Sequence, residues 1–273
     1  MKNRVKAFTL ELLNNIKKPE MKILPGQLAF YFVLTLIPLV ALVGSIINSM
    51  DLSSELLHSR LSINLPNAVE KLILQIYTER HLGADLIFFI VTSLLLASNG
   101  MHSMIVTSNH IYKIKDKSYL NRRIKSLFML INLILLLVFI VIFLVFGDKI
   151  VNYIWSLDNN ENLHNIIYSI YKVLKYPLSL LFIYVSIKIL YTMAPDKSIK
   201  SKHVTYGAVF TSITWVISSK VYSLYIDKFA VYDSFYGSIS SIIVLLLWIY
   251  ILAYVFVLGM VLNATRYNLE KEV

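Results

Sequence analysis

The sequence predicts an all-α, polytopic membrane protein with six transmembrane helices, both termini in the cytoplasm, and amphipathic flanking and external helices. Three observations predict it. Six apolar stretches carry almost no charge, the Lys and Arg content of the segments between them alternates high and low, and the chain is 57% hydrophobic with a mean hydropathy of +0.67. Most of the stretches reach the roughly 20 residues that a helix needs to cross hydrocarbon. They must be helical, because unpaired backbone groups in lipid cost several kcal/mol each.

Residues 1–27 form a cytoplasmic arm. In it Val5, Phe8, Leu12 and Ile16 recur at helical spacing with Lys and Asn opposite, which predicts a helix lying on the inner leaflet or packed under the bundle. The arm has no cleavable apolar core, so the first stretch is expected to remain as a span. That span covers 28–47 and carries Pro38, a candidate bend. In the loop that follows, Pro66 can open an outer helix with an apolar face of Val69, Leu72, Ile73 and Ile76.

The second span, 86–106, ends in Ser98-Asn99-Gly100-Met101-His102-Ser103. Glycine and an amide at that depth predict a break, a kink or a pore-facing turn. The third span is 127–146. Beyond it Leu163, Ile166, Ile167, Ile170, Tyr171 and Leu174 predict an outer helix that leads into the fourth span, 173–191. The fifth span, 204–226, is the most polar. Gly207, Thr211, Thr214 and Ser218 share one face, continued by Tyr222 and Tyr225, and that face is expected to pack closely on neighbours or to line a polar path. The sixth span, 239–262, completes a membrane domain of 28–264, and 265–273 is a cytoplasmic tail.

Orientation follows from the alternation. Seventeen Lys and Arg fall in the arm, the second and fourth loops and the tail, against seven in the other three loops, so the positive-inside rule puts both termini in the cytoplasm. The net charge of +10 is thereby explained by topology and by anionic lipid headgroups, the expected partners, and calls for no nucleic acid.

Several chemistries are excluded or disfavoured. There is no cysteine, which removes disulfides, thiolate catalysis and cysteine metal sites. His102 and His110 are eight apart rather than at the spacing of a helical zinc pair, and there is no Gly-x-Ser-x-Gly or phosphate-cradling glycine loop. No enzymatic activity, cofactor or metal is expected. The Asp and Glu residues all lie at span ends or in loops, which disfavours proton coupling through a buried carboxylate. Lys188, expected to snorkel to the inner surface, and Lys220 are the only charges inside the apolar stretches when the fourth is counted from Pro177.

Tyr206-Gly207-Ala208, Trp215, Ser223-Leu224-Tyr225, Tyr236-Gly237-Ser238-Ile239, Leu246-Leu247-Trp248-Ile249-Tyr250, Leu258-Gly259 and Asn263-Ala264 occur in that order. Leu28-Ala29-Phe30-Tyr31-Phe32, Ser98-Asn99-Gly100, Asn109-His110-Ile111-Tyr112 and the segment from Tyr191 to Pro195 precede them. In this the chain closely resembles the YihY/BrkB family of bacterial membrane proteins, once called the ribonuclease BN family. Departures are Ala194, where the family more often has a larger apolar residue, and Asn99, where it often has Arg. The resemblance implies six spans in the cytoplasmic membrane. It also implies that ribonuclease is a misassigned name, and it suggests links to serum resistance and to lipid movement across the envelope.

The leading expectation is a transporter or facilitator of lipids or lipid-linked envelope molecules without its own ATPase. The alternatives are a small-solute or ion exporter or channel, and an envelope scaffold. The candidate path is Asn99, His102, Thr211, Thr214, Ser218 and Tyr222, with Gln27 and Tyr31 at the cytoplasmic mouth and Lys220 toward the outer one. Ser238 and Ser241 would complete it from the sixth span. Small residues in the last two spans fit packing within one bundle or between two copies of the chain.

Overall fold

The computed structural model describes residues 2–19, 21–34, 84–145, 147, 151, 161–229 and 238–271, and among these there are seven α-helices and no strand. They are α1 (Lys2–Ile16), α2 (Met21–Leu34), α3 (Ala84–Ile111), α4 (Tyr119–Phe139), α5 (Glu161–Met193), α6 (Thr205–Phe229) and α7 (Ser238–Lys271). Each of the six apolar stretches falls on one of α2 to α7, the first of them as far as Leu34. Pro38, the helix expected after Pro66 and the rest of the first span lie outside the described residues.

The helices pack in a ring. α3 packs on α4, α4 on α5, α5 on α6 and α6 on α7, while α7 returns to α3 and also receives α1. Short connections make sequential helices neighbours, as in up-and-down bundles. α5 and α7 contain segments, Ile167–Met193 and Ile243–Glu270, long and apolar enough to cross a membrane. Large apolar side chains are exposed on every helix of the ring, among them Phe88, Phe128, Val173, Ile217 and Leu247. So continuous an apolar exterior cannot be left in water.

Burial is concentrated at the end of the bundle that carries the 112–118 and 194–204 connections, here termed the basic end. Met101, Met104 and Ile105 of α3, Ile187, Leu190 and Tyr191 of α5, and Phe256, Met260 and Val261 of α7 are all buried there. Both ends of the chain join this region. Asn15 Nδ2 of α1 donates to Thr265 Oγ1 at 3.1 Å, and both residues are buried. The arm is thus a helix packed under the bundle through Leu12 and Ile16, with Leu10 and Leu13 exposed on its other side.

Two local expectations are corrected. α3 runs as unbroken α-helix through Ser98-Asn99-Gly100. The glycine is there for contact, since a Cβ at Gly100 would come within 2.5 Å of Tyr31 Cβ. The outer helix expected over 163–174 is not separate, because α5 is one helix of 33 residues that continues through Pro177. Its first half keeps the amphipathic spacing without needing a turn. α4 ends in a π-helical stretch, Ile140–Val145, where the Tyr171 hydroxyl of α5 donates to the Phe143 carbonyl at 2.9 Å. Such wide turns leave a carbonyl free for a neighbour.

Candidate functional site

At the basic end the chain builds a polar latch. α3 stops in a Schellman turn: the Ile114 N–H donates to Asn109 O at 2.8 Å, the Lys113 N–H donates to His110 O at 3.2 Å, and Lys113 has φ of 54°. The turn brings Asp116 and Lys117 back over Asn109. Asn109 Nδ2 then donates to Asp116 Oδ1 and to Asp196 Oδ2, each at 2.7 Å, and the Asp196 N–H donates to Asn109 Oδ1 at 2.8 Å. One buried amide thus ties the exit of α3 to the exit of α5.

Lys125 of α4 closes the latch. Its ammonium donates to Ala194 O at 3.1 Å, Pro195 O at 2.7 Å and Asp196 Oδ1 at 2.9 Å. All three protons are used, two of them on carbonyls at the C-terminal end of α5, where a cation is favoured. The Asp196 side chain is only 2% exposed. Burial raises its carboxyl, but hydrogen bonds from the Lys117 amide, Lys125 and Asn109 outweigh that and hold it below the usual carboxylate range. Burial draws the Lys125 ammonium below its ordinary value, with Asp196 opposing. Asp116 pairs with Arg122 at 2.6 Å, and Glu270 with Arg266 and His203, both at 2.9 Å. The Arg266 hydrogen bond keeps the Glu270 carboxyl below its ordinary value.

Outside this latch lies a cleft of about 300 Å³ between the two connections, whose lining includes Lys117, Asn121, Lys125, Asp196, Lys197 and Ser198 and, from the end of α5, Thr192. The residues at 109, 125 and 196 escaped the sequence reading, because Asp116 and Asp196 read as scattered acids among lysines. The available signal was that two of the family-like segments, Asn109 to Tyr112 and Tyr191 to Pro195, stand where a span ends, the first containing Asn109 and the second leading directly into Asp196.

The expected path residues fall into separate places. Gln27 is exposed and Tyr31 is half-buried against Gly100. Asn99 accepts from Arg123 Nη1 at 2.6 Å, so a guanidinium from α4 meets the position where the family resemblance leads one to expect Arg. His102 is half-buried, tilted on Tyr119 with ring centroids 5.4 Å apart, and its Nδ1 has no partner among the described residues. These residues belong to α2 and α3, not to the α6 surface.

On α6 the polar face divides in two. Its first part is committed to packing. Gly207 and Gly259 let α6 and α7 touch: a Cβ on Gly207 would sit 2.1 Å from the Gly259 carbonyl oxygen. The Gly207 N–H, near the helix start, is capped by Asn263 Oδ1 at 2.7 Å. Thr211 is buried and shares a 2.7 Å hydrogen bond with the Tyr191 hydroxyl, which also donates to Phe256 O at 2.5 Å. The Trp215 indole donates to Leu252 O at 2.8 Å. The second part is free. Thr214 and Ser218, half-buried and one turn apart, have no hydrogen-bond partner among the described residues, and Lys220 is exposed. Tyr222 is half-buried and stacks on Trp248 with centroids 5.0 Å apart. Ser238 and Ser241 stand in the first turn of α7, and their side chains lie outside the described set. Lys188 is satisfied within its own helix, donating to the Tyr184 hydroxyl one turn earlier at 3.1 Å.

A family model described as Virulence factor BrkB matches residues 12–272. A Bacillus subtilis protein named as a ribonuclease-like protein, YfkH, is 28% identical over 97% of both chains. A UPF0761 membrane protein of Vibrio parahaemolyticus is 24% identical over 93% of this chain and 80% of its own length. One of Chlorobium limicola is 27% identical over 88% of this chain and 53% of its own length. No solved structure matches the chain.

Proposed function

Because the chain belongs to the BrkB family of membrane proteins, we propose that it spans the bacterial cytoplasmic membrane six times with both termini inside, and that it helps lipids or lipid-linked envelope molecules to cross. It does so without hydrolysing ATP. Support for the orientation comes from the gathering of arm, short connections and tail at one strongly basic end, since such charge stays on the cytoplasmic side.

The observation that carries the transport reading is the free half of the α6 face. A hydroxyl in a membrane helix normally bonds back to its own backbone, as Ser212 does to Ala208 O at 2.6 Å. Thr214 and Ser218 do not. Uncommitted hydroxyls on one face, with an exposed Lys220 two residues beyond Ser218 on another side of the helix, offer a passing headgroup the hydrogen bonds that hydrocarbon denies it, each unmade bond there costing several kcal/mol. In this reading Thr214, Ser218 and Lys220 meet the substrate, Asn99, His102, Tyr222, Ser238 and Ser241 flank it, and Gln27 and Tyr31 stand at the inner mouth. Thr211 serves the helix crossing.

The name of the Bacillus relative raises RNA cleavage, but we do not propose it. Among the described residues no three His, Asp or Glu side chains gather around a common point, and Asp116, Asp196 and Glu270 are each held by a cation. The test is scrambling of fluorescent phospholipids in liposomes carrying the purified chain. Loss of activity in Thr214→Leu and Lys220→Ala, with scrambling intact in the unaltered chain, supports the path. Folded protein that scrambles no lipid refutes it and shifts the choice to small-solute export or scaffolding.

A further inference from the structure

We propose that the cleft between the 112–118 and 194–200 connections binds the phosphate group of an anionic lipid, with the acyl chains lying along α4 and α5. This goes beyond the transport reading and does not depend on it, because binding can be measured without movement.

The cleft is cationic in effect, although Asp196 lines it. Both carboxylate oxygens of Asp196 are spent inward, Oδ1 on Lys125 and Oδ2 on Asn109 and the Lys117 N–H. Lys125 is spent likewise on Asp196 and two carbonyls. The lining residues left uncommitted are Lys117 and Lys197, both exposed and with ammonium groups that have no partner among the described residues, together with the exposed Asn121 and Ser198. Two cations with an amide and a hydroxyl form a donor set for a phosphate rather than for a neutral group. The volume of about 300 Å³ stands at the small end of ligand sites and suits a headgroup.

The second observation names the source of the phosphate. On a helix, residues three and seven apart share a face. Counting from Asn121 along α4, that face continues with Ile124 and Phe128, and counting back from Thr192 along α5 it continues with Ile189 and Val185. All four are exposed apolar side chains. The polar cleft therefore opens onto two adjacent helices whose same faces are greasy and uncovered. A soluble anion has no use for that surface, whereas a lipid fills both parts.

The experiment uses the full chain in phosphatidylcholine nanodiscs with a few per cent of phosphatidic acid, and native mass spectrometry to read retained lipid. The double variant Lys117→Ala/Lys197→Ala is compared with Lys115→Ala/Lys200→Ala, which removes the same charge from the same connections outside the cleft. Loss of two charge-assisted contacts should weaken phosphatidic acid retention about tenfold in the first and less than about twofold in the second. Equal weakening in both overturns the site, because it would report only the general charge of this end. So does no weakening in either. Lipid that stays bound in excess inorganic phosphate supports the headgroup assignment, and lipid displaced by it gives the cleft to a soluble anion and overturns the proposal. Binding that persists in a chain that fails to scramble leaves this site standing while removing the transport reading.

Discussion

Replacing Lys125 by Met tests the latch most directly. The substitution preserves the length and apolar stem of the side chain, but it leaves the Asp196 carboxylate, 2% exposed, with only Asn109 and the Lys117 amide as donors, and it frees the Ala194 and Pro195 carbonyls. Breaking a buried pair by removing one partner costs about 3–5 kcal/mol. The two remaining donors on Asp196, and a Lys125 side chain 21% exposed in the intact pair, put the expected loss near the low end, about 3 kcal/mol. Asp196→Asn keeps the shape and an acceptor, and should cost about 1.5–2 kcal/mol. In the double variant the Met no longer strands a charge, so the two losses should fall short of additivity by about 1 kcal/mol or more. Equilibrium unfolding in mixed micelles, read by the fluorescence of Trp155, Trp215 and Trp248, gives all three numbers. A Lys125→Met chain within about 0.5 kcal/mol of the original, or strict additivity in the double variant, would refute the latch as a coupled unit.

The remaining predictions are of four kinds. The depressed carboxyl of Asp196 means that its stabilisation is complete above the unfolded value of about 4 and is lost as pH falls through the lower folded value, so the gap between the original chain and Asp196→Asn should be flat from pH 5 to 8 and shrink in strong acid. Gly259→Ala should cost about 1–3 kcal/mol, because its Cβ would meet Thr211 Oγ1 at 2.0 Å and the Tyr191 hydroxyl at 2.4 Å, two atoms already bonded to each other, while Gly26→Ala, with nothing within 4 Å, should be neutral or slightly stabilising in the same unfolding assay. Lys113 holds a left-handed φ of 54°, so Lys113→Gly should raise stability by about 1 kcal/mol; a loss instead would mean that its charge outweighs the strain. The chain has no cysteine, so single cysteines at Lys115, Lys200 or Asn159 report sidedness cleanly: the first two should react with an impermeant maleimide only after permeabilisation, and the third in intact cells.

The helices were legible because their signal is summed over many residues. Six apolar stretches of roughly the right length give helices whatever the neighbours do, and the spacing of Leu12 and Ile16 foretold which side of α1 would pack. Interruptions were less legible. Ser98-Asn99-Gly100 reads as a break in isolation, yet its glycine makes room for Tyr31, some 70 positions earlier, and its amide meets Arg123 on the next helix. The latch was invisible for the same reason. Asn109, Lys125 and Asp196 are ordinary surface residue types with no characteristic spacing, and only the fold brings Asn109 and Lys125 within 3 Å of Asp196. On α6 the sequence offered two uses for one polar face. The structure shows the packing use at Gly207 and Thr211 and leaves the hydroxyls of Thr214 and Ser218 without partners among the described residues, and the division depends on where Tyr191 and Gly259 reach the face.

The length of α5 has a mechanical consequence. At 1.5 Å per residue its 33 residues make a rod of about 50 Å, well beyond the ~30 Å of hydrocarbon. Pro177 sits near the middle and lacks the N–H that would bond the Val173 carbonyl, so the rod bends most easily there. The arm from Pro177 to Met193 is about 24 Å long, and tilting it by about 10° would carry its tip roughly 4 Å sideways. The Asp196 latch hangs from that tip on bonds of 2.7 to 3.1 Å that such a displacement would sever. Tilt of this rod and integrity of the knot at its end are therefore one degree of freedom.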